Sequence, residues 1–393
     1  MTPAVLVLNA GSSSIKFAIY DVENLNLLCG GSIEDIGAIP RFNIRGPQLP
    51  KAAQWRDFPA VGTHESLTAW LLQTVRTQFP GLKLVAAGHR VVHGGIKFSE
   101  PVIVEASVLA ELDRLVELAP GHEPHNIAAI RAVAAAWPAL PQVVCFDTQF
   151  HRTQPRIAQL FALPRNLSDE GILRYGFHGL SYEFIASALP EQVGSRADGR
   201  VIVAHLGNGA SLCAMKARRS MATTMSFTVL DGLMMGTRCG ALDPGVILHL
   251  LQNKSMSAKD VSELLYNKSG LLGVSGISGD VRVLEKSHDP KASEALELFS
   301  YRVSCEVGSL VAVLGGLDVL VFTGGIGEHS LAMRQRICDR MQWLGIALDR
   351  EANERQATRI SKTGASIDVL VIPTNEELVI ARATRALTGR SPA

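Results

Sequence analysis

Several side chains able to bind anions or a hard cation follow short apolar runs: Asn9, Arg90, Asp147, His205, the stretch Gly324 to Glu328, and Glu376. In proteins that alternate helix and strand, residues at the carboxyl ends of buried strands collect where ligands bind. Together these strand ends point to anion and metal chemistry, and the Asn9 oxygen suits a hard cation such as Mg²⁺, directly or through water. The first of these residues sits in AVLVLNAGSSSIKFAIY, Ala4 to Tyr20, an apolar run, a polar turn and a second apolar run. That pattern predicts a hairpin whose turn can hold an anion. Gly11 lets backbone N–H groups approach a phosphate, Ser12, Ser13 and Ser14 add donors, and Lys16 adds positive charge.

Each feature has a plainer explanation when taken alone. Gly-Ser turns are common, Arg90 and Arg238 also suit structural ion pairs, and Asp147 suits a helix cap. His178, within YGFHG, has an apolar neighbourhood that also fits a core histidine. His89 and His93 alternate with Arg90 along a strand, so at most one face is available to a site. His122, His125 and His151 lack the i, i+4 spacing of a helical zinc site. GGIGEH lacks the third glycine of a dinucleotide fingerprint, and no GxxxxGK[ST] or GxSxG occurs.

The elements that must position these residues are readable in outline. Apolar residues at helical spacing predict helices at His64 to Phe79, Glu105 to Ala119, Ile127 to Trp137, Val246 to Gln252, Ser257 to Tyr266, Ser293 to Val313 and Leu378 to Leu387. Buried strands are predicted at Leu82 to Ala87, delivering GHRVVHGG, at Gln142 to Phe146, and at Val369 to Ile372. Asp21 to Pro59 reads as short strands and loops, and PGHEPHN, Pro120 to Asn126, as a turn. VIVAHLGNGASLCAMK, beginning at Val201, repeats the opening order of strand, Gly-rich turn, strand and Lys, which is what a duplicated phosphate-binding fold would show. A further strand from Val319 runs into TGGIGE, read as a third turn.

Length and composition bound the class. A chain of 393 residues points to two or three domains, with a boundary near 150. The formal net charge is +1, and the basic residues are dispersed, which gives no nucleic-acid footprint and no polybasic membrane patch. Six cysteines without CxxC spacing read as reduced core residues. The N-terminal apolar run breaks at Asn9, too short for a signal peptide, so the simplest expectation is a cytoplasmic protein.

LNAGSSSIK, GHRVVHGG, FDTQFH, YGFHGLSY, HLGNGAS, GLMMGTRCG, FTGGIGEH and PTNEEL, in this order and across nearly the whole chain, resemble the motifs of the acetate kinase family. The resemblance implies an α/β fold of two duplicated actin-like (ribonuclease H-like) domains with the nucleotide site in the cleft between them. The domains would be 1–150, completed by the C-terminal helix at about 378–393, and 151–377. It implies reversible, direct in-line phosphoryl transfer from ATP to acetate, giving acetyl phosphate and ADP, in a homodimer. Asn9 and Glu376 would serve Mg²⁺, with Mn²⁺ as its substitute. Lys16, Ser12, Ser14, the turn His205, Leu206, Gly207, Asn208 and Gly209, the loop Asp280, Val281 and Arg282, and the turn Gly325, Ile326, Gly327, Glu328 and His329 would hold ATP. Arg90 would bind the substrate carboxylate, with His122 at the rim and Val92, Phe177 and Pro244 around its methyl group. Asp147, His178, Arg238 and Arg90 would form the catalytic group. Gly121, Glu123 and His125 depart from the family's PLHNPPN, His329 stands where Asn is usual, and Ala241 stands where an acidic or amide residue is usual.

A carboxylate with a pKa of ~4.3 is already ionised at neutral pH and needs no general base. Asp147 is therefore expected to orient Arg90 or the metal's water shell. The resemblance leaves propionate or butyrate as alternative substrates. A non-enzymatic nucleotide switch would have no need of Arg90, Asp147 and His178 together, and a sugar kinase would need Asp147 as a base but would gain little from two arginines.

Overall fold

The computed structural model describes residues 1–11, 14–47, 58–59, 61–79 and 81–389. Ser12 and Ser13 of the first turn lie outside the described residues. The chain divides into two compact units, Met1–Gln149 with Asn375–Ala393, and Phe150–Thr374.

The first unit is built on a seven-stranded sheet. Its strands are β1 (Thr2–Ala10), β2 (Ile15–Asp21), β3 (Leu27–Glu34), β4 (Arg41–Arg45), β5 (Leu82–Val91), β6 (Val102–Ile103) and β7 (Gln142–Phe146), in the order β4-β3-β2-β1-β5-β7-β6. β1 is antiparallel to β2, with Asn9 opposite Lys16, and parallel to β5, which is parallel to β7. Every residue of β1 from Ala4 to Ala10 is buried, so the strand reads as a continuous apolar run rather than an alternating one. Leu6, Leu8, Phe17 and Ile19 pack with Leu67, Leu71 and Val75 of the helix His64–Gln78 and with Val133 of the helix Glu123–Ala136. Thr63 caps the first of these helices by accepting from the Ser66 N–H. The helix Glu376–Leu387 packs on β1, β5 and β7. There a side chain in place of Gly88 would overlap Thr384 and Ile380.

The second unit contains β8 (Arg200–Leu206), β9 (Ala210–Lys216), β10 (Arg219–Thr223), β11 (Val319–Thr323) and β12 (Asp368–Val371), in the order β10-β9-β8-β11-β12. β8, β9 and β10 form an antiparallel meander, and β8, β11 and β12 run parallel. Order and directions repeat those of β3-β2-β1-β5-β7, so the actin-like arrangement occurs twice. Tyr182, Ile185 and Leu189 of the helix Gly179–Val193 pack on Val201, Val203 and Cys213 of this sheet.

Several elements differ from their sequence-based outlines. β5 continues past Ala87 to Val91, carrying His89 and Arg90 within the strand. Helix begins inside PGHEPHN, at Glu123, and at Glu376 rather than Leu378. The helix expected over Glu105 to Ala119 spans Ala106–Leu115. GGIGEH is a short helix, Gly324–His329, and not a turn, because the Glu328 carboxylate folds back to accept from the Gly324 N–H at 2.9 Å and caps the segment. The lysine of the second hairpin is no counterpart of Lys16. Lys216 pairs with Arg200 at the far end of β9, and the residue opposite His205 beside the turn is Ser211.

Candidate active site

In the first unit, three strand ends and one helix start bring together a line of polar side chains. Arg90, near the end of β5, donates from Nε to Asp147 Oδ1 at 2.9 Å and from Nη2 to Asp147 Oδ2 at 2.5 Å. Its Nη1 donates to Asn9 Oδ1 at 3.1 Å, and Asn9 Nδ2 faces Glu376 Oε2 at 3.4 Å. Asp147 is 2% exposed and Arg90 16%. Burial by itself would lower the Arg90 pKa, but the Asp147 carboxylate outweighs it and the guanidinium is held above its ordinary value. Arg90 is therefore a fixed cation with its fork pre-oriented.

Beside this line lies the helix Glu123–Ala136, whose first turn holds two of the departures from the family motif, Glu123 and His125. Val92 N–H donates to Asn126 Oδ1 at 3.0 Å, and Asn126 Nδ2 donates to the Ala10 carbonyl, tying β1, β5 and the helix Glu123–Ala136 together. Glu123 is fully buried, accepts from the His93 N–H at 3.3 Å, and has no hydrogen-bond partner for Oε1. Burial pushes its carboxyl up to about 8, a rise that the His93 hydrogen bond opposes and the Asp147 charge reinforces. His93 accepts from the Gly95 N–H at Nδ1 and is pushed down to about 4 by burial, which keeps it neutral. His89 points elsewhere, onto Gln142 Oε1 at 2.7 Å. His122 is the residue before the helix Glu123–Ala136, and His125 stacks on His64. Lys16 is exposed at the start of β2, and Ser14 closes the first turn by accepting from the Gly11 N–H at its carbonyl.

The second unit gathers most of the other residues. His178 precedes the helix Gly179–Val193 with φ 56° and ψ 24°, a left-handed conformation uncommon for a non-glycine residue. His151, weighed in the sequence only as a metal ligand, holds that segment. Its Nε2 lies 2.9 Å from the Phe177 carbonyl and its Nδ1 lies 2.9 Å from Ser220 Oγ, and burial pushes it down to about 4, so a neutral ring donates to Phe177. The Phe177 side chain is itself buried. The His178 ring stacks on His205, with centroids 4.2 Å apart.

The turn after β8 explains its glycines by contact. A Cβ at Gly209 would stand 3.4 Å from His178 Nε2 and 3.6 Å from Arg238 Nη2, so both donors converge on bare backbone. A Cβ at Gly236 would overlap the Asn208 amide, which brings the turn Leu206 to Gly209 against GLMMGTRCG. Arg238 is held by the Val229 carbonyl, which accepts from Nη1 at 2.8 Å. Thr323 lies opposite His205 in the β11–β8 pairing, which sets Gly325 to Gly327 at the same sheet edge. Glu328 is turned inward, its Oε1 also taking the Thr374 N–H at 3.3 Å, and His329 ends that helix. Asp280 caps the helix Val281–Leu284 and pairs with Arg282 at 2.6 Å. Pro244 opens the helix Pro244–Gln252, capped by Asp243, just after Ala241.

Among the described residues no group of three or more His, Cys, Asp or Glu is placed to hold a metal ion. Asn9 and Glu376 offer an amide and a carboxylate side by side, a set that fits a cation completing its shell with water and substrate phosphates.

The chain is 53% identical over 390 residues to an acetate kinase of Rhodopseudomonas palustris, covering 97% of this chain and 98% of the relative. It is 46% identical to an acetate kinase of Rhizobium meliloti, covering 98% of each. Among solved structures, a propionate kinase from Francisella tularensis superposes with a TM-score of 0.89 at 36% identity, covering 98% of this chain and all of that one. The Porphyromonas gingivalis acetate kinase superposes with a TM-score of 0.85 at 35% identity, covering 98% and 99%. The family model of the acetokinase family matches residues 4–382, and with these relatives it shows that the chain belongs to the acetokinase family.

Proposed function

We propose that the protein catalyses reversible phosphoryl transfer from ATP to acetate, giving acetyl phosphate and ADP. The observation that carries this reading is the engagement of both Asp147 oxygens by Arg90. A kinase for a hydroxyl acceptor needs a carboxylate placed to take a proton. Here the buried carboxylate is committed to a guanidinium, which suits an acceptor that is already an anion.

Arg90 binds the acceptor carboxylate, with Val92, Phe177, Pro244 and His122 bounding its alkyl end. Arg238 and His178 bind the transferring phosphoryl group. Lys16, Ser12, Ser14, His205 to Gly209, Asp280 to Arg282 and Gly325 to His329 hold ATP, with the adenosine held mainly by the second unit. Asn9 and Glu376 would hold Mg²⁺, or Mn²⁺ in its place, which when bound neutralises phosphate charge. Phosphoryl transfer asks mainly for positioning and charge compensation, and two arginines supply both where anion meets anion. A homodimer in the cytoplasm completes this reading. Among the described residues no helix is long and apolar enough to cross a membrane.

The test is hydroxylamine trapping with ATP, Mg²⁺ and a panel of acetate, propionate, butyrate, glucose and glycerol. Acyl hydroxamate from acetate with no turnover of the neutral sugars or alcohols is expected, and ADP release on glucose alone would overturn the reading. Propionate is the second reading, favoured by the superposition on the Francisella propionate kinase. One methylene is worth ~1–3 kcal/mol in such a pocket, so the ranking of kcat/KM across the panel decides between them.

A further inference from the structure

The His178 ring is anchored by two hydroxyls on neighbouring elements. Ser211, on β9, places Oγ 2.8 Å from His178 Nδ1, and Tyr182, one turn into the helix Gly179–Val193, places its phenol oxygen 2.5 Å from the same Oγ. Both residues are fully buried. Each hydroxyl has one proton, and a buried polar hydrogen needs an acceptor. The phenol's recorded partner is Ser211 Oγ, so Tyr182 donates to Ser211. Ser211 then has one proton left and one remaining partner, so it donates to His178 Nδ1. With Nδ1 accepting, a neutral imidazole must hold its proton on Nε2. Nε2 is the atom that faces Gly209 beside Arg238 Nη2.

We propose that Tyr182 and Ser211 are positioning residues for phosphoryl transfer, a two-hydroxyl chain that fixes His178 as a neutral imidazole donating from Nε2 to the transferring group. The proposal rests on the phosphoryl-transfer reading above and changes the division of labour within it. Arg238 supplies the positive charge, and His178 supplies one directed hydrogen bond. An imidazolium at His178 would put a proton on Nδ1 against the Ser211 proton, forcing one buried hydroxyl hydrogen to lose its acceptor. The stacked His205 ring, whose own Nδ1 lies 2.8 Å from Ser181 Oγ, sits where a second charge would be repelled.

The first test needs no activity. In protein labelled with ¹⁵N-histidine, long-range proton–nitrogen correlations of the wild type at neutral pH, with His178 assigned by its loss in His178→Gln, should show the Nε2–H tautomer. An Nδ1–H tautomer or an imidazolium would overturn the proposal. The second test is kinetic. Ser211→Ala should lower kcat about 10- to 100-fold with the KM values for ATP and carboxylate nearly unchanged, as expected for loss of a residue that orients another. Ser211→Thr, which keeps the hydroxyl, should restore most of kcat. Full kcat in Ser211→Ala, or equal losses in the alanine and threonine variants, would overturn the proposal. Tyr182→Phe, which keeps the ring in the core, should give a smaller loss in kcat, and an unchanged kcat would overturn its part. An Nε2–H tautomer in a wild type that forms no acyl phosphate would instead overturn the reaction and leave the hydroxyl chain supported.

Discussion

Arg90 and Asp147 meet as a two-point pair, Nε to Oδ1 and Nη2 to Oδ2, with Nη1 left to reach Asn9. One guanidinium thus links the carboxylate that orients it to the Asn9 amide, proposed above as a metal ligand. Breaking such a buried pair from either side leaves an uncompensated charge.

The two halves of this pair should fail differently. Arg90→Ala should raise KM for the carboxylate and lower kcat on the order of 100-fold, as expected if the lost donor is the one proposed to bind the acceptor. Asp147→Asn keeps one acceptor oxygen and should cost about 10- to 100-fold, mainly in kcat. Steady-state kinetics with acetate as the varied substrate checks both, and an unchanged KM in Arg90→Ala would remove Arg90 from the acceptor site.

Arg238→Ala should lower kcat by roughly 10³-fold with little change in the KM for carboxylate, as for loss of a transition-state arginine. Near-full kcat in this variant would exclude Arg238 from the transfer step.

Glu376→Gln should raise the Mg²⁺ concentration for half-maximal activity by about 10- to 100-fold while leaving the KM for carboxylate close to wild type. A titration of MgCl₂ at fixed ATP reads this directly. An unchanged half-maximal concentration would separate Glu376 from the cation.

Glu123 predicts a pH dependence of stability. Its carboxyl is pushed up from 4.5 to about 8 by burial, so between these values the folded chain holds a proton that the unfolded chain has released. Its contribution is therefore complete below about pH 4.5 and is lost as pH rises through about 8. The wild type should melt at a lower temperature at pH 9 than at pH 6, and Glu123→Gln, uncharged throughout, should show a smaller fall. Equal falls in the two proteins would show that Glu123 titrates normally.

What the sequence disclosed follows the range of the interactions involved. The opening hairpin and the helix His64–Gln78 were legible because apolar periodicity and a local cap specify them. β5 was cut short at Ala87 because His89 and Arg90 are stabilised by Gln142 and Asp147, more than fifty residues away. The helix Gly324–His329 was hidden by its glycines, since a carboxylate folding back on its own segment leaves no periodic signal. Lys216 was matched to Lys16 by order along the chain, whereas strand register puts Ser211 beside the turn. The motifs pointed to His178 and Arg238. They gave no hint that His151 would hold the Phe177 carbonyl, because its partner Ser220 is 69 residues distant.

The helix Glu376–Leu387 closes the sheet that begins at Thr2 and carries the carboxylate facing Asn9. On the ribosome, β1 emerges early and its covering helix emerges only after the whole of Phe150–Thr374. At ~5–20 residues per second that segment alone takes on the order of 10 to 45 seconds. The first unit is thus born with a bare apolar sheet face that only a segment made after the second unit can cover. Nascent chains stalled short of Asn375 should be open to protease in their first unit and become resistant once the helix Glu376–Leu387 is released.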